Sequence, residues 1–336
     1  MDPFSDALNT LLAAQCTPAV VRAIEAGDAS AAATLWRAIE DSGFADALVP
    51  ESLGGAGLAL ADVHGLFVLC GTHALPLPLG ETLLARALLG AADVRAPAGA
   101  ALTFGQARVA ADGGWTCAQV VCARTAQQVL AVDPAGQARL LPVAAAEVRD
   151  ASFCLDATLY WPAAAVAAAA PLPGTVDLRT AEACLYAAQL AGAMTAVFEG
   201  TLRHANDRQQ FGRPIGKFQA IQHQLAVISE HAFAARTAAQ LGCRSEEGVR
   251  PDRLRAAVAK ARTSESAVEV AALAHSIHGA IGFTQEFDLQ LATRRLHRWR
   301  QAGGAESYWQ QIVGGILVRE HTGSTLDLIR QATDIH

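Results

Sequence analysis

The apolar positions fall into three textures along the chain. Up to about residue 95 they recur at three- and four-residue spacing between breaks, the mark of short amphipathic helices. Leu35, Trp36 and Ile39 form one such face, with Ser30 as its predicted cap and Gly43 as its stop. Pro50-Glu-Ser-Leu-Gly-Gly-Ala-Gly57 predicts a turn-rich loop, residues 58–70 a second short helix, and Pro76-Leu-Pro78 another break. From about Gly99 to Ala170 the apolar runs shorten. Those at 120–122, 129–132 and 140–143 are separated by turn formers such as Asp112-Gly-Gly114 and Asp133-Pro-Ala-Gly136, which predicts β-hairpins in a small sheet or barrel. Beyond Pro171-Leu-Pro-Gly174 long helical periods take over. Tyr186, Leu190, Met194, Phe198 and Leu202 recur every four residues, 208–210 interrupts, and Ile221, Leu225 and Ile228 resume. Further patterns run from about Asp252 to His275 and beyond Asp288. The predicted architecture is mainly α with a small β domain: an N-terminal helical domain over 1–95, a β-barrel-like domain over 96–172 and a four-helix bundle over 173–336.

Composition narrows the function classes. In 336 residues, 52% hydrophobic and only 6% aromatic, Ala, Leu and Val must fill the core, which suits closely packed helices. A net charge of -6 gives no footprint for nucleic acid. No basic segment followed by an apolar stretch opens the chain, and the apolar run near 163–172 is too short to span a bilayer. Seven scattered cysteines make neither a disulfide framework nor a metal-ligand spacing. These features predict a reduced, cytoplasmic protein with no membrane, nucleic-acid or metal partner.

Two segments carry chemistry. Arg208-Gln-Gln-Phe-Gly-Arg-Pro-Ile-Gly-Lys-Phe-Gln-Ala-Ile-Gln-His-Gln224 sits between two predicted helices, so its polar groups project from a helix end. An arginine fork suits diphosphate oxygens, and Phe-Gly adds an aromatic face and a tight turn. An ordinary helix-turn-helix with an exposed arginine has the same spacing. In His275-Ser-Ile-His-Gly-Ala-Ile-Gly-Phe-Thr-Gln-Glu286, Gly279 and Gly282 either let backbone approach a ligand beside His278 or simply end a helix. His204 and His223 read as structural histidines, and Arg294-Arg-Leu-His-Arg-Trp-Arg300 as a solvated helix face.

Together with Val49-Pro-Glu-Ser-Leu-Gly-Gly-Ala-Gly-Leu58, these segments resemble, in order and over most of the chain, the signatures of the acyl-CoA dehydrogenase family. The resemblance implies an FAD enzyme that turns an acyl-CoA into its α,β-unsaturated thioester. It assigns Arg208, Gln210 and Phe211, with Gln219 as a further contact, to the FAD diphosphate and ribose of a neighbouring subunit. It assigns Ser276, His278, Gly279 and Ala280 to the adenosine half, with Ser276 in place of the usual Gln and Ala280 in place of the second Gly. Sites that act across an interface imply a homodimer or tetramer.

The family's chemistry needs a glutamate that removes the α-proton while flavin N5 takes the β-hydride. Counting on from Gly282, its usual place is held by Gly303 in Gln301-Ala-Gly-Gly-Ala-Glu-Ser307, and two flavin-touching positions by Ala305 and Ser307. Glu306 lies three residues on. Glu182 falls where isovaleryl- and long-chain-type members carry their base, and it is the candidate catalytic residue; a glutamate near a helix N-terminus is also favoured by the dipole. The family's Thr-Glu-Pro flavin loop has no match in the middle region. Short members lacking the glutamate resemble one partner of heteromeric bacterial enzymes whose longer subunit supplies it. The alternative function is a catalytically silent subunit with a structural or regulatory role, and a third is a flavin oxidase or monooxygenase.

Overall fold

The computed structural model describes residues 3–245 and 248–333. These form two compact units, the first built mainly from residues 3–66 and Leu75–Glu182, the second from Phe67–Ala74 and most of the chain after Ala183.

Helices α1 (Pro3–Gln15), α2 (Pro18–Glu25) and α3 (Ala29–Asp41) open the first unit. Thr17 caps α2 ahead of Pro18, whose missing N–H costs nothing in the first turn. The cap of α3 is Asp28, not Ser30: its carboxylate accepts from the Ala31 amide at 2.9 Å, which leaves Ser30 inside the first turn. Leu35, Trp36 and Ile39 are buried, and Gly43 ends the segment at φ +76. The helix expected over 58–70 begins only at His64 (α4, His64–Thr72), because Ala59 and Asp62 hydrogen-bond each other in a turn first. On α5 (Leu79–Ala91), buried Arg86 donates to Glu40 at 3.0 Å and Asp46 at 2.9 Å, tying that helix to α3 and the turn after it.

Six strands follow: β1 (Leu102–Val109), β2 (Trp115–Val120), β3 (Gln128–Val132), β4 (Ala138–Pro142), β5 (Glu147–Asp150) and β6 (Ala157–Trp161). Their order is β4-β3-β1-β2-β6-β5, antiparallel except for the parallel β1–β3 pair. Asp112 and Asp133 accept backbone amides in the turns their sequences predict. The sheet stays open instead of closing as a barrel. Pro171, which has no N–H to extend a ladder, bridges to Arg139 on the β4 edge, and β5 is fully exposed and carries Glu147, Arg149 and Asp150. Trp115, Cys117, Val129, Leu141, Leu159 and Trp161 form the core beneath it, with the short helix α6 (Ala163–Ala168) against β4 and β6.

The second unit is helical: α7 (Leu178–Asp207), α8 (Gln219–Gly242), α9 (Arg253–His278), α10 (Leu289–Gln301), α11 (Glu306–Gly315) and α12 (Thr325–Thr333). α9 is central, with α8, α10 and α11 packed on it. By length and composition α7 can cross a bilayer, but 83% of its apolar stretch is buried inside the protein, as a bundle's core helix is. Tyr186, Leu190 and Met194 are fully buried, whereas the same four-residue period ends in Leu202 at 39% exposure. Small residues set the closest approach. A methyl added to Gly192 would lie 1.9 Å from the Val68 carbonyl oxygen, and one on Gly71 1.9 Å from that of Gln189, so α4 and α7 meet backbone to backbone. The predicted fourth helix is broken into α10 and α11 at Gly303 and Gly304, both at positive φ.

Candidate functional site

At the C-terminal end of α7 the chain turns through a two-strand hairpin, β7 (Gln209–Gln210) paired with β8 (Arg213–Pro214). Phe211 and Gly212 form its tip at φ +52 and +79. Phe211 is held in the left-handed region rare for an aromatic residue, and its ring stands 91% exposed. Behind it the Arg213 guanidinium lies 4.2 Å over the Phe218 ring, and the Ile215 amide donates to the Arg208 carbonyl at 2.8 Å. The hairpin is therefore a built platform that presents Phe211 outward.

The hairpin faces the C-terminal end of α9 across a cleft of about 570 Å³. Arg208, Gln210 and Phe211 line one side, and Ser276, His278, Gly279 and Ala280 line the other. Seven of the eight positions expected to meet the cofactor thus share one cavity. The eighth, Gln219, is exposed on the first turn of α8 and does not line it. Arg208 has no carboxylate partner among the described residues. Gly279 stands at φ +65 with nothing within 4 Å of where a Cβ would be, so the backbone there borders open space. Gln224 donates to the Ser276 hydroxyl at 3.4 Å, a weak brace between α8 and α9.

His204 also lines the cleft. Its ring stacks on that of His278, centroids 4.2 Å apart and planes at 21°, with Phe287 edge-on to His204 and tilted against His278. Burial lowers the pKa of each imidazole; for His204 the His278 ring and the Arg208 charge push it further down against the opposing pull of Asp207. Reading His204 as a lone structural histidine missed this. The available signal was spacing, since His204 precedes Arg208 by one helical turn and so shares its face.

The carboxylates sort differently. Glu182, on the first turns of α7, is 7% exposed and accepts from Gln106 Nε2 on β1 at 2.9 Å. Its charge and burial together push the nearby Cys117 thiol up to about 12, burial being the larger cause. Gly303 has no side chain to offer; its carbonyl accepts from the Trp309 indole at 3.0 Å. The next carbonyl, of Gly304, accepts from Lys260 Nζ at 2.9 Å, and fully buried Lys260 also donates to the Arg300 carbonyl and the Ser264 hydroxyl. Glu306 is engaged by both guanidinium nitrogens of Arg300, which hold its carboxyl below the usual range. No group of His, Cys, Asp and Glu suited to a metal ion occurs among the described residues.

Residues 180–316 match the family profile described as acyl-CoA dehydrogenase, C-terminal domain. The chain is 33% identical over 311 residues to the acyl-CoA dehydrogenase IpdE2 of Mycobacterium tuberculosis, covering 87% of this chain and 89% of that protein. Its fold is similar to the ChsE4-ChsE5 complex from Mycobacterium tuberculosis (TM-score 0.75, 20% identity, 95% of this chain and 97% of that one). It is also similar to the butyryl-CoA dehydrogenase of Megasphaera elsdenii (TM-score 0.71, 16% identity, 95% and 99%).

Proposed function

This chain belongs to the acyl-CoA dehydrogenase family, and on that premise we propose that it oxidises an acyl-CoA thioester to the α,β-unsaturated form with FAD, alone or as one subunit of a heteromeric enzyme. The observation that carries the reading is the convergence of Arg208, Gln210 and Phe211 with the 276–280 loop on one cleft. Its residues fit FAD. Arg208 offers an uncommitted fork to a diphosphate, the open backbone at Gly279 lets a ribose or phosphate come close, and the exposed Phe211 ring offers apolar cover. Bound FAD supplies the hydride acceptor; the chain's own residues hold it and exclude water.

We assign the proton abstraction to Glu182. Glu306 is engaged by Arg300 and Gly303 has no carboxylate, whereas Glu182 is a buried carboxylate that accepts from the Gln106 amide and lies where the family resemblance allows a base. A partner chain supplying the base is the competing arrangement, favoured by Gly303 and by the two-chain nature of the structurally similar ChsE4-ChsE5 complex. A subunit without chemistry of its own is the second reading, and Gly303 motivates it too.

The test is an anaerobic titration of the purified chain, with any partner that accompanies it, by a panel of acyl-CoAs. Bleaching of the flavin is the expected result. Failure of every acyl-CoA to bleach a flavin-loaded preparation would remove the dehydrogenase reading and leave the silent subunit. Glu182→Gln is expected to slow that bleaching by roughly 10²–10⁴-fold while flavin stays bound; unchanged rates would move the base to another chain.

A further inference from the structure

The His204–His278 stack is unusual in what surrounds it. At the end of α7, Asp207 and the next residue, Arg208, lie about one turn on from His204. On α9 and α10, His275 and His297 follow behind His278, with Arg300 beyond. Around the stack, Asp207 thus stands against Arg208, with the His275 and His297 rings behind and Arg300 already paired with Glu306, so the cleft resists charging either ring. His278 Nδ1 lies 2.8 Å from the Ala274 carbonyl oxygen. A carbonyl only accepts, so Nδ1 carries the ring's proton, and in the neutral ring Nε2 is a bare lone pair. Nε2 has no hydrogen-bond partner among the described residues, and the ring lines the cleft.

A diphosphate also brings only acceptors. Against a neutral His278 its oxygens meet a lone pair; against a protonated one they gain a charge-assisted hydrogen bond, and their negative charge offsets the imidazolium beside Arg208. We propose that the His204–His278 pair makes this cleft a proton-coupled diphosphate site, in which the ligand binds together with one proton taken from solvent. The ligand rests on the flavin reading above; the coupling rests on the stack and on the Ala274 bond. The FAD diphosphate is a diester already fully ionised at neutral pH, so the proton ends on the protein. Because the complex has the higher imidazole pKa, uptake occurs between the free and bound values. Affinity is greatest below that window and falls about tenfold per pH unit as pH rises through it.

The experiment is calorimetric titration of the flavin-stripped protein, with any co-purifying partner, using FAD, ADP-ribose (also a diphosphate diester) and riboflavin in MOPS and in Tris, buffers of different ionisation heat. At pH values between the free and bound imidazole midpoints, FAD and ADP-ribose are expected to show buffer-dependent heats that report net proton uptake, and riboflavin none. In His204→Phe with His278→Phe, which keeps a stack and removes the titration, FAD is expected to bind more weakly, and the heat of that binding no longer depends on buffer. Coenzyme A, the other carrier of an adenosine diphosphate, is expected not to displace FAD; displacement would reassign the cleft and overturn the flavin assignment. Should the double variant not fold, imidazole proton resonances of the wild-type chain decide: the His278 midpoint must rise by at least about one pH unit on binding FAD. FAD binding with buffer-independent heats overturns the coupling and leaves the flavin reading intact. No FAD binding at any pH overturns the flavin reading itself.

Discussion

Two helix ends in one bundle are finished in opposite ways. Where α7 and α9 end, Arg208 lacks a carboxylate and His278 Nε2 a hydrogen-bond partner among the described residues, and a phenylalanine stands in solvent beside their cleft. Where α10 ends, every prominent group is taken: Lys260 holds two carbonyls and a hydroxyl, Trp309 holds Gly303, and Arg300 holds Glu306. Proteins satisfy the polar groups they bury, so a helix end left open is shaped for something outside the chain, and a closed one has become scaffold. Gly303, which the sequence resemblance sets at the family's base position, sits at the closed end.

The contrast can be broken by substitution. Lys260→Met should have the largest effect, since it leaves two part-buried carbonyls and a buried hydroxyl without their donor. A loss of about 3 kcal/mol is expected, seen as a fall in melting temperature on the order of 5–10 °C; a fall below a degree would mean that the turn closes without the lysine. Arg208→Gln should leave the melting temperature of the flavin-free chain in place and raise the Kd for FAD by roughly 10–100-fold, the worth of one charge-assisted bond. A stability loss without a binding loss would reverse the contrast. Smallest is Glu306→Gln, because the ion pair is partly exposed and worth less than about 1 kcal/mol. Its sign with pH is fixed. The folded carboxyl has the lowered pKa, so the contribution is present at neutral pH and vanishes as acid protonates it. Wild type and variant should draw together in urea melts as pH falls below the ordinary glutamate range.

Much of this was legible in the chain, and the failures have physical causes. Tyr186, Leu190 and Met194 announce the buried face of α7, and Asp133-Pro-Ala-Gly136 announces a hairpin, because both signals are local. The parallel β1–β3 pair is not local and no spacing encodes it. Ser30 lost the cap to Asp28 two residues earlier, a competition between residue types that cap equally well. The signature segments pointed to seven residues of the cleft, yet not to the His204–His278 stack, which pairs positions 74 residues apart by tertiary packing. Lys260 was invisible for a similar reason. In sequence it sits in an alanine-rich helix like any solvated lysine, and only the Gly303–Gly304 break, folded against it, turns it inward.

The glycine contact between α4 and α7 has a consequence for taking the molecule apart. Phe67–Ala74 is stitched into the second unit, while the residues on either side of it belong to the first. The chain leaves one unit, places a single helical span in the other, returns to build the sheet, and leaves again at Glu182. No one cut separates two self-sufficient halves. A fragment starting at the sheet's end would expose Gly192 and the neighbouring surface of α7 where α4 should lie, and is expected to be insoluble unless the missing peptide is supplied in trans.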